Sequence, residues 1–479
     1  MKSYQAELSA RISEERAAVE LIKITSDLSF ESSIELTIFR HQLIDKRSSE
    51  ILNLHEYATN FVLKPINIFE TLSIANEIKS STFSPSKIDI GKLTFEWINE
   101  KEKYNNITSF VNNKLHFINK ESTNIQAKDV VLYGFGRIGR LLARELMAQE
   151  GKGEQLRLRA IVLRKNDDQN IIKRASLLRS DSIHGKFPGT VVEDLENKAL
   201  VINGQSVQLI KASCPEEIDY TSYGIKKALV IDNTGAYRDN ESLSWHLQAK
   251  GTSKVLLTAP GQGIPNIVFG ANHLDYAIDS YDKFSAASCT TNAITPILKI
   301  VNNELGIDKG HIETVHAYTN DQNLVDNMHK KERRGRAAAI NMVITSTGAG
   351  NAVVKVIPSL EGKLTANAVR VPTPNGSLAI LNLSVNSKTC IADLNNIIKK
   401  AALNGPLVEQ INYSISRELV SMDIVGNNAA AIFDSPATIV SKDGKNIVLY
   451  VWYDNEYGYS RQVMRLAKYI SNVRRPMNY

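Results

Sequence analysis

The chain has 479 residues, more than one ordinary domain holds, so two or three domains are expected. Hydrophobic residues make up 43% and charged residues 23%, the balance of a soluble globular protein. The net charge of +6 is too mild to signal nucleic-acid binding but leaves room for small anionic substrates. Three cysteines form neither a disulfide framework nor a metal-ligand pattern, which suits a reducing cytoplasm. The N-terminus is polar, and no run of about 18 apolar residues occurs, so neither a signal peptide nor a membrane span is expected.

Residues 1–126 read as mostly helical. Apolar residues recur three and four apart at Leu8-Ile12, Val19-Ile22 and Leu36-Phe39-Leu43. Ser49 to Phe61 and Ile66 to Ile78 continue the pattern, with Pro65 at a helix start, and Phe95 to Phe117 carries one or two further helices. Phe83-Ser84-Pro85-Ser86 reads as a turn, and the polar run near Glu121-Ser122-Thr123-Asn124 as a linker. His41, His55 and His116 stand at no ligand spacing. No chemistry is legible in this quarter; it reads as an accessory domain for oligomer or partner contact, with a regulatory role left open.

At Lys128 to Tyr133 an apolar strand begins, and Gly134-Phe135-Gly136-Arg137-Ile138-Gly139-Arg140 leads from it into a helical run. Glycines at this G-x-G-x-x-G spacing permit a tight turn, close approach of backbone to a pyrophosphate, and close helix packing. Strand context turns a weak motif into a dinucleotide-binding prediction. The next strand, Leu156 to Leu163, ends in Arg164-Lys165, where an NAD-binding unit usually places an acid for the ribose hydroxyl. Asp167 and Asp168 come late, so NADP is open, alone or beside NAD. Strands at Ala228 to Ile231 and Lys254 to Thr258 end in Asn233-Thr234-Gly235 and Thr258-Ala259-Pro260, at the carboxyl edge where such sheets bind ligands.

Cys289 sits in Ser288-Cys289-Thr290-Thr291-Asn292, just before the apolar run Ile297 to Val301. Its neighbours are good N-cap residues, and a helix N-terminus favours a thiolate. Cys214 and Cys390 take the default reading of a cysteine, a small buried hydrophobe without chemistry. His316 lies in the alternating strand Ile312 to Thr319. Arg333, Arg334 and Arg336, then Thr345 to Gly350, then Arg370, supply guanidinium, hydroxyl and glycine backbone, the chemistry of an anion pocket.

From Asp129 to the C-terminus the sequence resembles phosphorylating glyceraldehyde-3-phosphate dehydrogenases. The resemblance rests on GFGRIGR (134–140), DSIHGKF (181–187), LLTAPGQG (256–263), SCTTNAITPILK (288–299), HAYTNDQN (316–323), RRGRAAA (333–339), STGA (346–349), RVPTPNGS (370–377) and WYDNEYGYS (452–460). It says nothing of the helical extension read over 1–126, and implies an α/β fold beyond it: a Rossmann domain over 127–287 and a catalytic domain with an antiparallel sheet over 288–455. The segment 456–479 returns as a helix onto the Rossmann domain. It implies Cys289 as nucleophile and His316 as its base. The substrate is D-glyceraldehyde 3-phosphate and the co-substrate inorganic phosphate, with 1,3-bisphosphoglycerate formed through a thioester, in glycolysis or gluconeogenesis. Ser288, Thr290, Thr319, Arg334, Thr347, Gly348 and Arg370 match anion-binding positions. Gly134, Gly136, Arg137, Ile138, Gly139, Thr234, Gly235, Thr258 and Asn455 match cofactor positions, with Arg164 facing a 2′-phosphate where NADP is used.

Members are usually cytoplasmic homotetramers without resident metal, membrane or nucleic acid. One departure is the missing acid after Leu163. The other is Asp326-Asn327-Met328-His329, where NAD-strict members carry a leucine–proline pair. Together they point to dual use of NAD and NADP, or NADP preference. The alternatives are erythrose-4-phosphate dehydrogenase, with the same thiol chemistry, and a non-catalytic binding or regulatory protein on the same fold.

Overall fold

The computed structural model describes residues 4–120, 125–148, 153–475 and 477–478. The expected linker at 121–124 lies outside them. The described residues fall into two compact units. One is drawn from 1–126, 151–154 and 473–479, the other from 127–150 and 155–472.

In the first unit, helices Tyr4–Ser32, Ser48–Val62, Ile68–Ser80, Ile90–Glu100 and Ile107–Leu115 surround a four-stranded sheet. Its strands run in the order His41–Gln42, Glu35–Ile38, Lys87–Asp89, Met477–Asn478. The helical spacing at Leu36-Phe39-Leu43 is therefore a strand, a turn and a strand. The turn explains the misreading. Phe39 and Arg40 take left-handed backbone (φ 42° and 73°), and the buried Asp89 carboxylate accepts from both of their N–H groups at 2.9 and 2.8 Å. The same carboxylate caps Ile90–Glu100 by accepting from Lys92 N at 3.1 Å. A carboxylate fifty residues away settles a conformation that local spacing alone assigns to helix. The C-terminal strand pairs in parallel with Lys87–Asp89, and buried Arg475 forms an ion pair with Glu35 at 3.3 Å.

The second unit holds two eight-stranded sheets. The first is a doubly wound sheet with a parallel core, in the order Lys283–Ser285, Thr252–Leu257, Ala228–Asp232, Lys128–Tyr133, Leu156–Leu163, Gln205–Lys211. Ala199–Ile202 and Val191–Asp194 extend it as antiparallel strands. The central strands are apolar runs, as burial on both faces requires. The order reverses at Lys128–Tyr133, which places the glycine turn at the switch point.

The second sheet is mixed and mainly antiparallel, built on Ile307–Ala317, Leu364–Val371, Ser377–Val385 and Asn446–Tyr453. Helix Cys289–Leu305 packs on it. Helix Tyr457–Ile470 packs on helix Arg137–Ala148, which follows the central strand Lys128–Tyr133 of the first sheet, tied by the buried pair Arg461–Glu145. No helix among the described residues is long and apolar enough to cross a membrane.

Arg475→Ala should cost the first unit about 2 kcal/mol, less than a fully buried pair because Glu35 keeps some access to water. Urea denaturation followed by circular dichroism should show an earlier transition for this unit alone.

Candidate active site

Cys289 is the first residue of its helix. The Ser288 hydroxyl caps it, accepting from Thr291 N at 3.0 Å, a contact worth about 1 kcal/mol. The residue before the cap, Ala287, has a φ of 56°, a left-handed conformation costing an L-residue about 1 kcal/mol. It is held there from both sides. Ala287 N donates to Ser285 Oγ at 3.0 Å, and Tyr459 OH donates to Ala287 O at 2.9 Å. This turn delivers the thiol to the start of the helix.

His316 Nε2 lies 3.6 Å from Cys289 Sγ. His316 and Arg370 are register partners in parallel neighbouring strands, so the ring and the guanidinium meet on one face. Arg370 NH1 lies 2.8 Å from His316 Nδ1, donates to Ala317 O at 2.8 Å, and reaches Thr319 Oγ1 at 3.4 Å. A guanidinium only donates. When it bonds Nδ1, the imidazole proton is on Nε2, toward the sulfur. When the proton is on Nδ1, that nitrogen donates to Ala317 O at 2.7 Å, and Nε2 is free to accept from the thiol. Both tautomers have partners, so the ring can take a proton from sulfur and return one to a bound group.

Charge in the site is set by burial and by arginine. Burial pushes the Cys289 thiol up, while Arg370, the Thr290 hydroxyl and the helix-start N–H groups pull it back. Burial and then Arg370 push the His316 imidazole down to about 3. Burial raises the Asp321 carboxyl, but the Thr319 hydroxyl and Arg334 outweigh it and hold the group below its ordinary value. Asp321 accepts from Thr319 Oγ1 and Arg334 NH1, and Arg334 Nε donates to Thr345 Oγ1 at 3.1 Å.

The structure thus links Cys289, His316, Arg370 and Thr319 through direct contacts, and Arg334 to Thr319 through Asp321. Thr290 shares a hydrogen bond of 2.9 Å with Tyr453 OH beside the thiol. Thr347 and Gly348 follow Thr345 at the start of helix Ala349–Val356, where Thr347 Oγ1 accepts from Ala349 N at 3.2 Å. Asn455 Oδ1 accepts from Ser377 Oγ at 2.9 Å, and Ser377 Oγ accepts from Ala317 N at 3.1 Å, which joins Asn455 to the histidine strand. Sequence reading did not single out Asp321, Tyr453 or Tyr459. The last two lie inside WYDNEYGYS, and only the fold shows what they touch.

The glycine turn fits a dinucleotide. Gly134 has a φ of 97°, and a Cβ there would stand 2.8 Å from Thr234 Cγ2. A Cβ on Gly139 would stand 2.4 Å from Asn233 Oδ1, whereas Gly136 faces open space. Arg140 N donates to Gly136 O, so the N–H groups of Arg137, Ile138 and Gly139 precede the helical ladder and are aimed for phosphate. The Arg137 side chain is committed elsewhere, to Asp181 at 3.2 Å and to Glu456. Thr234 and Thr258 both bond Asp232, and Gly235 (φ 68°) turns the loop beside them. Arg164 and Lys165 are exposed at the strand end. Asp167 caps helix Asp168–Arg179 and Asp168 pairs with Lys198 at 2.7 Å.

A doubly wound sheet with a glycine turn at its switch point, joined to a sheet bearing a cysteine–histidine pair, defines a nicotinamide-dinucleotide oxidoreductase. Residues 128–240 match the family description "Glyceraldehyde 3-phosphate dehydrogenase, NAD binding domain", and residues 288–455 match its C-terminal domain. The chain is 46% identical over 462 residues to a "Glyceraldehyde-3-phosphate dehydrogenase-like protein" of Pseudomonas aeruginosa, covering 95% of this chain and 99% of that one. It is 40% identical over 344 residues to "Glyceraldehyde-3-phosphate dehydrogenase 2" of Trichormus variabilis, covering 71% and 98%. It is 38% identical to the Priestia megaterium enzyme over 346 residues, covering 72% and 98%. The chain belongs to the glyceraldehyde 3-phosphate dehydrogenase family. The Pseudomonas match extends into the N-terminal quarter, which the other two have no length to cover.

Arg370→Met should raise the apparent pKa for alkylation of Cys289 by iodoacetamide, because the guanidinium favours thiolate over thiol. A pH–rate profile on parent and variant checks the direction.

Proposed function

We propose that the protein oxidises D-glyceraldehyde 3-phosphate to 1,3-bisphosphoglycerate with inorganic phosphate, through a thioester on Cys289. The observation that carries this reading is the thiol 3.6 Å from His316, with Arg370 against that imidazole and Arg334 next in line.

His316 takes the thiol proton, and Cys289 attacks the aldehyde carbon. The N–H groups at the helix start and the protonated imidazole hold the oxyanion. A dinucleotide whose pyrophosphate sits at the glycine turn would supply the hydride acceptor for the step from hemithioacetal to thioester. Phosphate then attacks the thioester, and the thiol leaves. Arg370, Arg334, Thr319, Ser288, Thr290, Thr347 and Gly348 hold the substrate phosphate and the attacking phosphate. Asp321, which now bonds Arg334 and Thr319, yields these donors to the incoming anion. The backbone at Gly134, Gly136, Arg137, Ile138 and Gly139 takes the pyrophosphate, Thr234, Gly235 and Thr258 line the cofactor cleft, and Asn455 offers its amide to the nicotinamide carboxamide.

Acyl-phosphate formation should depend on added phosphate, and Cys289→Ser should lose at least about a thousandfold in kcat/KM. Oxidation that runs equally fast without phosphate contradicts the assignment.

We also propose that the cofactor is NADP, or NAD and NADP alike. Both acids near the second strand end are engaged, one as a cap and one with Lys198, which leaves exposed Arg164 and Lys165 to meet a 2′-phosphate. kcat/KM measured with each dinucleotide decides it; an NAD preference above about a hundredfold sinks the idea.

A further inference from the structure

Beneath the loop that carries Thr234 lies a fully buried carboxylate–imidazole pair. Asp232 ends the strand Ala228–Asp232, and His246 projects from helix Asn240–Gln248; both are 0% exposed. Asp232 Oδ1 accepts from Thr234 N at 2.8 Å and from Thr234 Oγ1 at 2.7 Å. Its main-chain oxygen accepts from Thr258 N at 2.9 Å and Thr258 Oγ1 at 3.1 Å. One residue therefore organises both threonines. The second carboxylate oxygen has His246 Nε2 at 3.0 Å. A carboxylate only accepts, so Nε2 carries the proton and donates.

The ring itself is fixed by aromatic edges. Its centroid lies 4.6 Å from that of Tyr133 and 5.3 Å from that of Tyr237, both near perpendicular. Its other nitrogen, Nδ1, is buried with no hydrogen-bond partner among the described residues. A buried imidazole that leaves one nitrogen unpaired forfeits a hydrogen bond. What it gains is a single donor held at a fixed point against Asp232. Without that donor, Thr234 alone holds the carboxylate against rotation about its Cβ–Cγ bond, and the Thr234–Gly235 turn loses a fixed acceptor.

We infer that Asp232 and His246 form a positioning pair for the dinucleotide: His246 fixes the rotamer of Asp232, and the carboxylate fixes Thr234 at the cofactor cleft. The inference rests on the proposed lining role of that threonine. Neither residue touches the reacting atoms, so the pair should govern cofactor affinity and leave the thiol chemistry alone.

Two amide substitutions separate positioning from packing. His246→Gln sets an amide nitrogen where Nε2 stood; His246→Asn sets it where Nδ1 stood, out of reach of Asp232. The readouts on the full chain are the dissociation constants of NAD and NADP by calorimetry and the rate of Cys289 alkylation by iodoacetamide without cofactor. His246→Asn should weaken binding about tenfold, the loss of one donor to a buried carboxylate, while His246→Gln stays within about threefold of the parent. Alkylation rates should match the parent in both. Equal affinities in the two variants, weakened or not, overturn the inference, as does a change in alkylation matching the change in binding. Thr234→Ala tests the premise separately. Unchanged binding there removes the lining role, whereas weakened binding there with full affinity in His246→Asn removes only the positioning role. Should His246→Asn melt below the assay temperature, His246→Gln against Asp232→Asn decides on the same readouts, with loosened binding in Asp232→Asn alone expected.

Discussion

The site depends on one register, the pairing of His316 with Arg370 across two parallel strands. Side chains alternate between faces, so a slip of one residue would send one of the two to the other side of the sheet. In register, a guanidinium stands against an imidazole that also faces a thiol. Two consequences follow from Coulomb's law. A second positive charge on the ring is disfavoured, and a negative charge on sulfur is favoured, so one arginine acts on both partners with opposite signs for their protonation. Arg334 and Lys331 add positive charge around it, and Asp321 is the carboxylate set against them. These side chains carry an excess of positive charge in a partly buried setting, and a negative charge placed against Arg370 would make the imidazolium easier to form.

The turn that leads into Cys289 depends on the C-terminal helix. Ala287 is left-handed because its carbonyl is held by Tyr459, on the C-terminal helix, and its N–H by Ser285. Asn292 ties the same turn from inside the helix, donating to Ala286 O at 2.8 Å and Ser288 O at 3.0 Å. The segment WYDNEYGYS thereby reaches several points of the site at once. Tyr453 meets Thr290, Asn455 meets Ser377, Glu456 meets Arg137, and Tyr459 meets Ala287. Glu456 also takes His184 Nε2 at 3.0 Å, so the start of the glycine-turn helix and the end of the catalytic sheet share one ion cluster.

The parts legible in the sequence were those with a local cause. The glycine spacing, the N-cap at Ser288 and the alternation around His316 each come from a few adjacent residues, and each element stands where those residues put it. Contacts across the fold were not legible. Nothing near His316 in the chain shows that Arg370 is its neighbour, since the pairing is set by two strands fifty-four residues apart. Arg137 stands in the glycine turn, but the partners of its side chain, Asp181 and Glu456, come from distant segments that local spacing does not reveal. The turn at Phe39-Arg40 imitated a helix because the residue that shapes it, Asp89, is remote.

The N-terminal unit shows the same dependence on remote chain. Its sheet closes with Met477–Asn478, and Ser33 Oγ donates to Glu154 at 2.8 Å, from the short segment that precedes the strand Leu156–Leu163. A unit assembled from three stretches of chain is not a domain appended at one end. Its last strand is contributed only once the final residues exist, so its sheet is complete only in the full chain. Its core is apolar, with Leu21, Ile38, Ile51, Ile74, Ile88 and Leu93 fully buried, so it has the material for a stable fold of its own. What the C-terminal segment adds is an edge. Without Met477–Asn478, Lys87–Asp89 has an unpaired edge, with N–H and C=O groups open to another strand. Covering that edge with residues 477–478 removes a template for association.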